Sequence, residues 1–153
     1  THTNLGIVYA KQGQYEQAIA TYQQTIQINP NSAIAHNNLG NAYSKQGKYN
    51  LAVEAYQTAI RIQPDYANAH ISLGITYGKQ GKYDEAIASY QTIIRIQPDN
   101  SDAHNKLGVA YYKQGKYDLA VEAFKEAIRI DPNLDSPQMQ GLIDYLMQQQ
   151  TNR

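Results

Sequence analysis

The sequence predicts an all-α solenoid of stacked antiparallel helix pairs, and three observations predict it. Pro30, Pro64, Pro98 and Pro132 recur every 34 residues. Leu5-Gly6, Leu39-Gly40, Leu73-Gly74 and Leu107-Gly108 keep the same step. Within one period the apolar and small residues follow helical spacing twice. A fixed period of this length marks units that bury their apolar faces only against their neighbours.

The period divides residues 1–134 into four repeats, 1–32, 33–66, 67–100 and 101–134, the first truncated at its start. In the second repeat His36, Leu39, Gly40 and Tyr43 lie on one face of a helix running from Ala33 to Gln46. Gly47 follows as a C′ glycine, where a left-handed residue ends a helix. Asn50 is expected to start a second helix carrying Ala52, Val53, Tyr56, Ala59 and Ile60, with Asp84 and Asp118 as its counterparts. Arg61, Arg95 and Arg129 close the second helices, where a cation suits the helix dipole. Residues 135–150 leave the repeat. Ser136 suits an N-cap and Pro137 a first helical position, ahead of the apolar stripe Met139, Leu142, Ile143, Leu146 and Met147. This reads as a helix closing the last repeat.

The framework absorbs most of the conspicuous residues. Eleven of the 14 tyrosines and eight of the 10 glycines fall at recurring positions, so they are assigned to packing and turns before chemistry. His2, His36, His70 and His104 also recur every 34 residues. That spacing puts them on successive hairpins about 10 Å apart. Metal ligands lie about 2 Å from the ion, so the four do not converge on one. No nucleophile elbow, phosphate loop or paired-carboxylate signature is present, so no catalytic residue and no cofactor is expected.

Thirteen basic residues balance 13 acidic ones, against a globally basic nucleic-acid binder. No apolar run approaches the roughly 20 residues that span a bilayer. The final helix carries glutamine rather than lysine on its polar face, against a membrane-surface role. A chain without cysteine fits a reducing, cytoplasmic compartment. The absent initiator Met and the missing opening turn at Thr1 read as a fragment of a longer protein, whose uncapped end invites self-association.

These motifs resemble the tetratricopeptide repeat family. Leu-Gly at repeat positions 7 and 8, Tyr at 11, Ala at 20 (Ala18, Ala52, Ala86, Ala120), an aromatic at 24 (Tyr22, Tyr56, Tyr90, Phe124) and Pro at 32 carry the resemblance over residues 1–134. Histidine stands at position 4 where the family usually has Trp. Thr25 and Ile93 stand at position 27 where Ala is usual. The resemblance implies a right-handed superhelical stack whose first helices line a concave groove for a partner's peptide segment.

The groove stripe, at positions 2, 5, 6, 9, 12 and 13, supplies the candidate site. It contains Ile34, Asn37, Asn38, Asn41, Lys45, Asn68, Ile71, Ile75, Lys79, Asn105, Lys106, Val109, Tyr112 and Lys113. Ile7, Ile34, Ile71, Ile75 and Val109 are apolar on a face the fold is not expected to cover, which marks an interaction surface. Asparagine both donates and accepts, as a peptide backbone does. Lys11, Lys45, Lys79 and Lys113 recur every 34 residues and, with Lys106, favour an acidic ligand. Some family members clamp the acidic tails of heat-shock chaperones. Asp102 carries the wrong sign for that clamp, so that specificity is not expected. The expected function is a protein or peptide interaction scaffold. A self-associating structural module, or the recruiting arm of a larger enzyme, is the alternative.

Overall fold

The structure, a computed structural model, describes residues 2–152. Thr1, to which the expectation of a missing opening turn refers, lies outside the described residues. Nine α-helices and one short 3-10 turn account for the secondary structure of the described residues, with no strand. The contacts divide the chain into two compact units meeting at Gln80 and Gly81.

Unit 1 holds α1 (His2–Lys11), α2 (Tyr15–Ile28), α3 (Ala33–Lys45), α4 (Tyr49–Ile62) and α5 (Ala67–Lys79). Each hairpin turns at a glycine whose φ of about +74° only glycine adopts without strain, as at Gly47. Lys48 N–H donates to the Tyr43 carbonyl at 2.9 Å and Gly47 N–H to the Ser44 carbonyl at 3.0 Å, which together make a Schellman cap. The turn leaves room for Lys48 alone, so α4 starts at Tyr49 without a capping side chain. Asn50 therefore does not cap the helix as expected. It sits inside the first turn, and its Oδ1 accepts from Gln80 Nε2 at 2.8 Å.

The Leu-Gly pair has a steric reason. An added Cβ at Gly40 would lie 2.6 Å from the Tyr56 ring, and one at Gly6 would lie 2.5 Å from the Tyr22 ring. Only a residue without Cβ lets the second helix lay its aromatic on the first. Ala18, Tyr22, Leu39, Ala42 and Ala55 form one buried cluster, and Ala52, Tyr56 and Leu73 another. A buried side chain of Leu size stabilises by about 1.5–3 kcal/mol, so successive hairpins hold one another.

Unit 2 holds α6 (Tyr83–Ile96), α7 (Ser101–Lys113), α8 (Tyr117–Ile130), the 3-10 turn Pro132–Leu134 and α9 (Pro137–Thr151). The helix starts expected at Asp84 and Asp118 again fall one residue earlier, at Tyr83 and Tyr117, without capping side chains. Asp84 Oδ1 accepts from Gln114 Nε2 at 2.6 Å, as Asn50 does from Gln80. Ser136 accepts from Met139 N–H at 3.1 Å and Pro137 opens α9. Ile143 and Leu146 are buried with Ala120, Val121 and Phe124, and Met139 and Leu142 pack beside them. Met147, the last member of the expected stripe, is 42% exposed.

Two sets of polar contacts tie each second helix to the following first helix inside the units. Gln23, Gln57 and Gln91 donate to the hydroxyls of Tyr43, Tyr77 and Tyr111 at 3.1–3.3 Å. The histidines at repeat position 4 donate Nε2–H to the carbonyls of the terminating prolines: His36 to Pro30 at 3.0 Å, His70 to Pro64 at 2.8 Å and His104 to Pro98 at 3.1 Å. Where the family usually places an apolar indole, these rings fasten the turn between hairpins.

Candidate functional site

Spacing along α1, α3 and α5 leaves some of the stripe residues of unit 1 open to solvent and others partly or wholly enclosed. Ile34 is 54% exposed, and Asn41, Asn68, Lys45 and Lys79 are exposed too. Ile7, Asn38, Ile71 and Ile75 are half-buried. Asn37 is buried at 5% exposure, and its Oδ1 has no partner. The stripe therefore holds one open apolar residue, Ile34, three half-buried isoleucines, exposed amide and ammonium groups, and one enclosed amide.

Between α1 and α3 lies a cleft of about 260 Å³ lined by Ile7, Ala10, Lys11, Tyr15, Tyr22, Asn38, Asn41, Ala42 and Lys45. It brings together three of the site residues read from sequence: Asn38, Asn41 and Lys45. Ile7 and Lys11, read as stripe members, also line it. Ala10, Tyr15, Tyr22 and Ala42 join the site without having been expected there. The sequence signal for the two tyrosines is their recurrence, which also fits pure framework. Burial pushes the Tyr22 phenol above its ordinary pKa, so the ring meets the cleft as a neutral surface.

The lysines of unit 1 differ. Lys79 Nζ stands 5.8 Å from the Tyr49 ring centroid, a cation–π distance. Lys11 and Lys45 make no ion pair or ring contact among the described residues.

In unit 2, Val109 is 43% exposed and Lys113 is exposed, while Asn105, Lys106 and Tyr112 are half-buried. The expected positive charge is reduced there. Lys106 Nζ pairs with Asp102 at 3.0 Å, and Lys113 Nζ lies 5.9 Å from the Tyr112 ring. Asn105 Oδ1 is enclosed without a partner, like that of Asn37.

Among the described residues no group of three or more His, Cys, Asp or Glu side chains is arranged to hold a metal ion. None of the described helices is long and apolar enough to cross a membrane.

Stacked hairpins with an open stripe of apolar, amide and ammonium groups define a helical-repeat scaffold for protein interaction. The chain belongs to the tetratricopeptide repeat family: the family's repeat patterns match residues 6–47, 40–81 and 71–135. No curated protein matches it in sequence. Among solved structures it is similar to MamA. One MamA crystal structure shares 32% identity, covering 86% of this chain and 77% of that one, with a TM-score of 0.83. MamA AMB-1 shares 28% identity over 98% and 81% of the two chains, also at 0.83. MamA 41-end from Desulfovibrio magneticus RS-1 reaches 0.86 at 19% identity, over 98% and 84%, a likeness of fold alone.

Proposed function

We propose that the chain is a binding module without catalysis of its own, which holds an extended or short helical peptide along the stripe. In unit 1 the anchors are Ile34, Ile71 and Ile75, the backbone contacts come from Asn38, Asn41 and Asn68, and Lys45 favours acidic character. Val109, Asn105, Lys106, Tyr112 and Lys113 form the corresponding stripe in unit 2. The observation that carries this reading is the cleft between α1 and α3, an apolar hollow bearing two unpaired ammonium groups. Concave, mostly apolar sites with a few polar groups are where ligands bind. An open surface of this kind is expected to bind in the micromolar range, about −8 kcal/mol.

A peptide-library pull-down with the wild type and the Asn41→Ala, Ile75→Ala double variant tests it. Reduced capture by the variant is expected; equal capture argues against the stripe as the site.

A further inference from the structure

We propose that unit 2 carries a second docking surface, a hollow between α6 and α8 that takes an apolar side chain of a partner protein next to a lysine or arginine. This surface lies apart from the stripe and does not depend on the peptide-binding reading above.

The hollow has a volume of about 320 Å³. That is at the lower end of the range for ligand sites, so it suits a short segment of a partner. Its apolar lining is Ile94 of α6, Leu107 and Tyr111 of α7, and Leu119 and Ala123 of α8. Helical spacing puts Leu107 and Tyr111 on the opposite side of α7 from Asn105, Val109 and Tyr112 of the stripe. Leu119 is 40% exposed. The frame does not call for an apolar residue at that position, because repeats one and three place Gln17 and Glu85 there. With its neighbours in the hollow Leu119 makes a contiguous apolar surface rather than a lone exposed side chain, and such surfaces mark interaction sites.

The polar lining decides the charge of the partner. Gln91 Nε2 donates to Tyr111 Oη at 3.2 Å, and His104 Nε2 bonds the Pro98 carbonyl at 3.1 Å, so these groups are engaged within the frame. Glu126 is held by Arg129 at 2.6 and 2.9 Å. Glu122 is exposed and makes no hydrogen bond or ion pair among the described residues. The two carboxylates stand four residues apart on α8, a like-charged spacing that disfavours the helix slightly. The frame requires neither, since Ala20 and Ala88 occupy the position of Glu122 in other repeats, and Thr58 and Thr92 that of Glu126. No lysine or arginine lines the hollow. A basic residue beside the apolar anchor therefore meets Glu122, and an acidic one is repelled. The cleft of unit 1 has the reverse character, with Lys11 and Lys45 and no acidic residue in its lining.

Three capped peptides test this by amide NMR shifts on the whole chain: acetyl-Ala-Lys-Leu-Leu-Lys-Ala-amide, its counterpart with Glu for Lys, and its counterpart with Ser for Leu. The Lys-Leu peptide is expected to shift the amides of Leu119, Glu122 and Ala123 and to bind about tenfold tighter than either of the others. Glu122→Ala is expected to weaken it about threefold, as loss of an exposed ion pair does, and Leu119→Gln about fivefold through lost apolar contact. Each variant carries a residue that another repeat already holds at that position, so unchanged melting temperatures are expected. The Asn41→Ala, Ile75→Ala double variant is expected to bind this peptide as the wild type does. No shift at these three amides, equal affinity for the three peptides, or an affinity undiminished in both Leu119→Gln and Glu122→Ala overturns the inference and leaves the stripe reading standing.

Discussion

Repeats two and four share one frame and differ where that frame meets solvent. In both, a glycine on the first helix lies under an aromatic ring 1% exposed, Tyr56 over Gly40 and Phe124 over Gly108. Both first helices begin with a capping side chain, Ser32 accepting from Ala35 N–H and Asn100 from Ala103 N–H. On the open face they part. Repeat two presents Asn41 hydrogen-bonded to the Tyr56 hydroxyl, where repeat four presents Val109. The units differ in charge as well. Unit 1 carries five basic against three acidic residues, net +2, and unit 2 eight against ten, net −2. The periodic positions set the backbone, and the positions between them are free to change the ligand chemistry without disturbing it.

If that separation is right, damage to the frame costs the same in both repeats. The largest effect is expected from Tyr56→Ala and Phe124→Ala, each losing about 3–5 kcal/mol in denaturant unfolding. A much smaller loss in one repeat would mean that its ring is not held as its counterpart is. Next come Gly40→Ala and Gly108→Ala. An added Cβ would lie 2.6–2.7 Å from a ring carbon that is itself enclosed. Each is expected to cost about 1–3 kcal/mol, as overpacking does.

Titration breaks the symmetry of the aromatic row, and alkaline pH reveals it. The Tyr90 phenol is pushed up to about 12 by burial, and then by the carboxylate of Asp102. Phe124, at the same repeat position, has nothing to titrate. A folded-state pKa above the unfolded value of 10 gives a contribution complete below pH 10 and lost as pH climbs toward 12. Stability of the wild type is therefore expected to fall over that window, and that of Tyr90→Phe to fall less. Parallel curves for the two proteins would remove Tyr90 as a source of the loss.

The frame is legible in the sequence because its constraints are local and repeated. A 34-residue period of Pro, Leu-Gly and Tyr reports helices, turns and stacking together, and the positive φ at Gly47 follows from its place after a helix. Sequence places the second-helix starts one residue late, because Asn50, Asp84 and Asp118 look like caps. A cap competes with other partners, and the glutamines of the next repeat, Gln80 and Gln114, take Asn50 and Asp84 instead. The histidine bonds to the proline carbonyls are invisible for a similar reason, since they depend on how the turn folds back. Helical spacing names the stripe residues, but not their condition. Spacing does not show that Asn37 is enclosed, that Lys106 is paired with Asp102, or that Lys11 and Lys45 are unpaired.

The smallest expected effects lie at the helix starts, where the comparison gains a third member. α5, in repeat three, begins after Tyr66 without a capping side chain, whereas α3 and α7 have Ser32 and Asn100. Ser32→Ala and Asn100→Ala each leave an orphan N–H and are expected to cost about 1 kcal/mol. Tyr66 serves differently, packing beside Ala33, Ala59 and Ala69 with Ile60 and Ile62. Tyr66→Asn exchanges the packing of this half-buried ring for a cap worth about 1 kcal/mol, and since full burial of a large side chain is worth about 1.5–3 kcal/mol, only a small net loss is expected. Thermal unfolding of the three variants checks this. A stabilised Tyr66→Asn would show that the ring contributes less than the hydrogen bond it displaces, and that the start of repeat three belongs with the replaceable positions rather than with the frame.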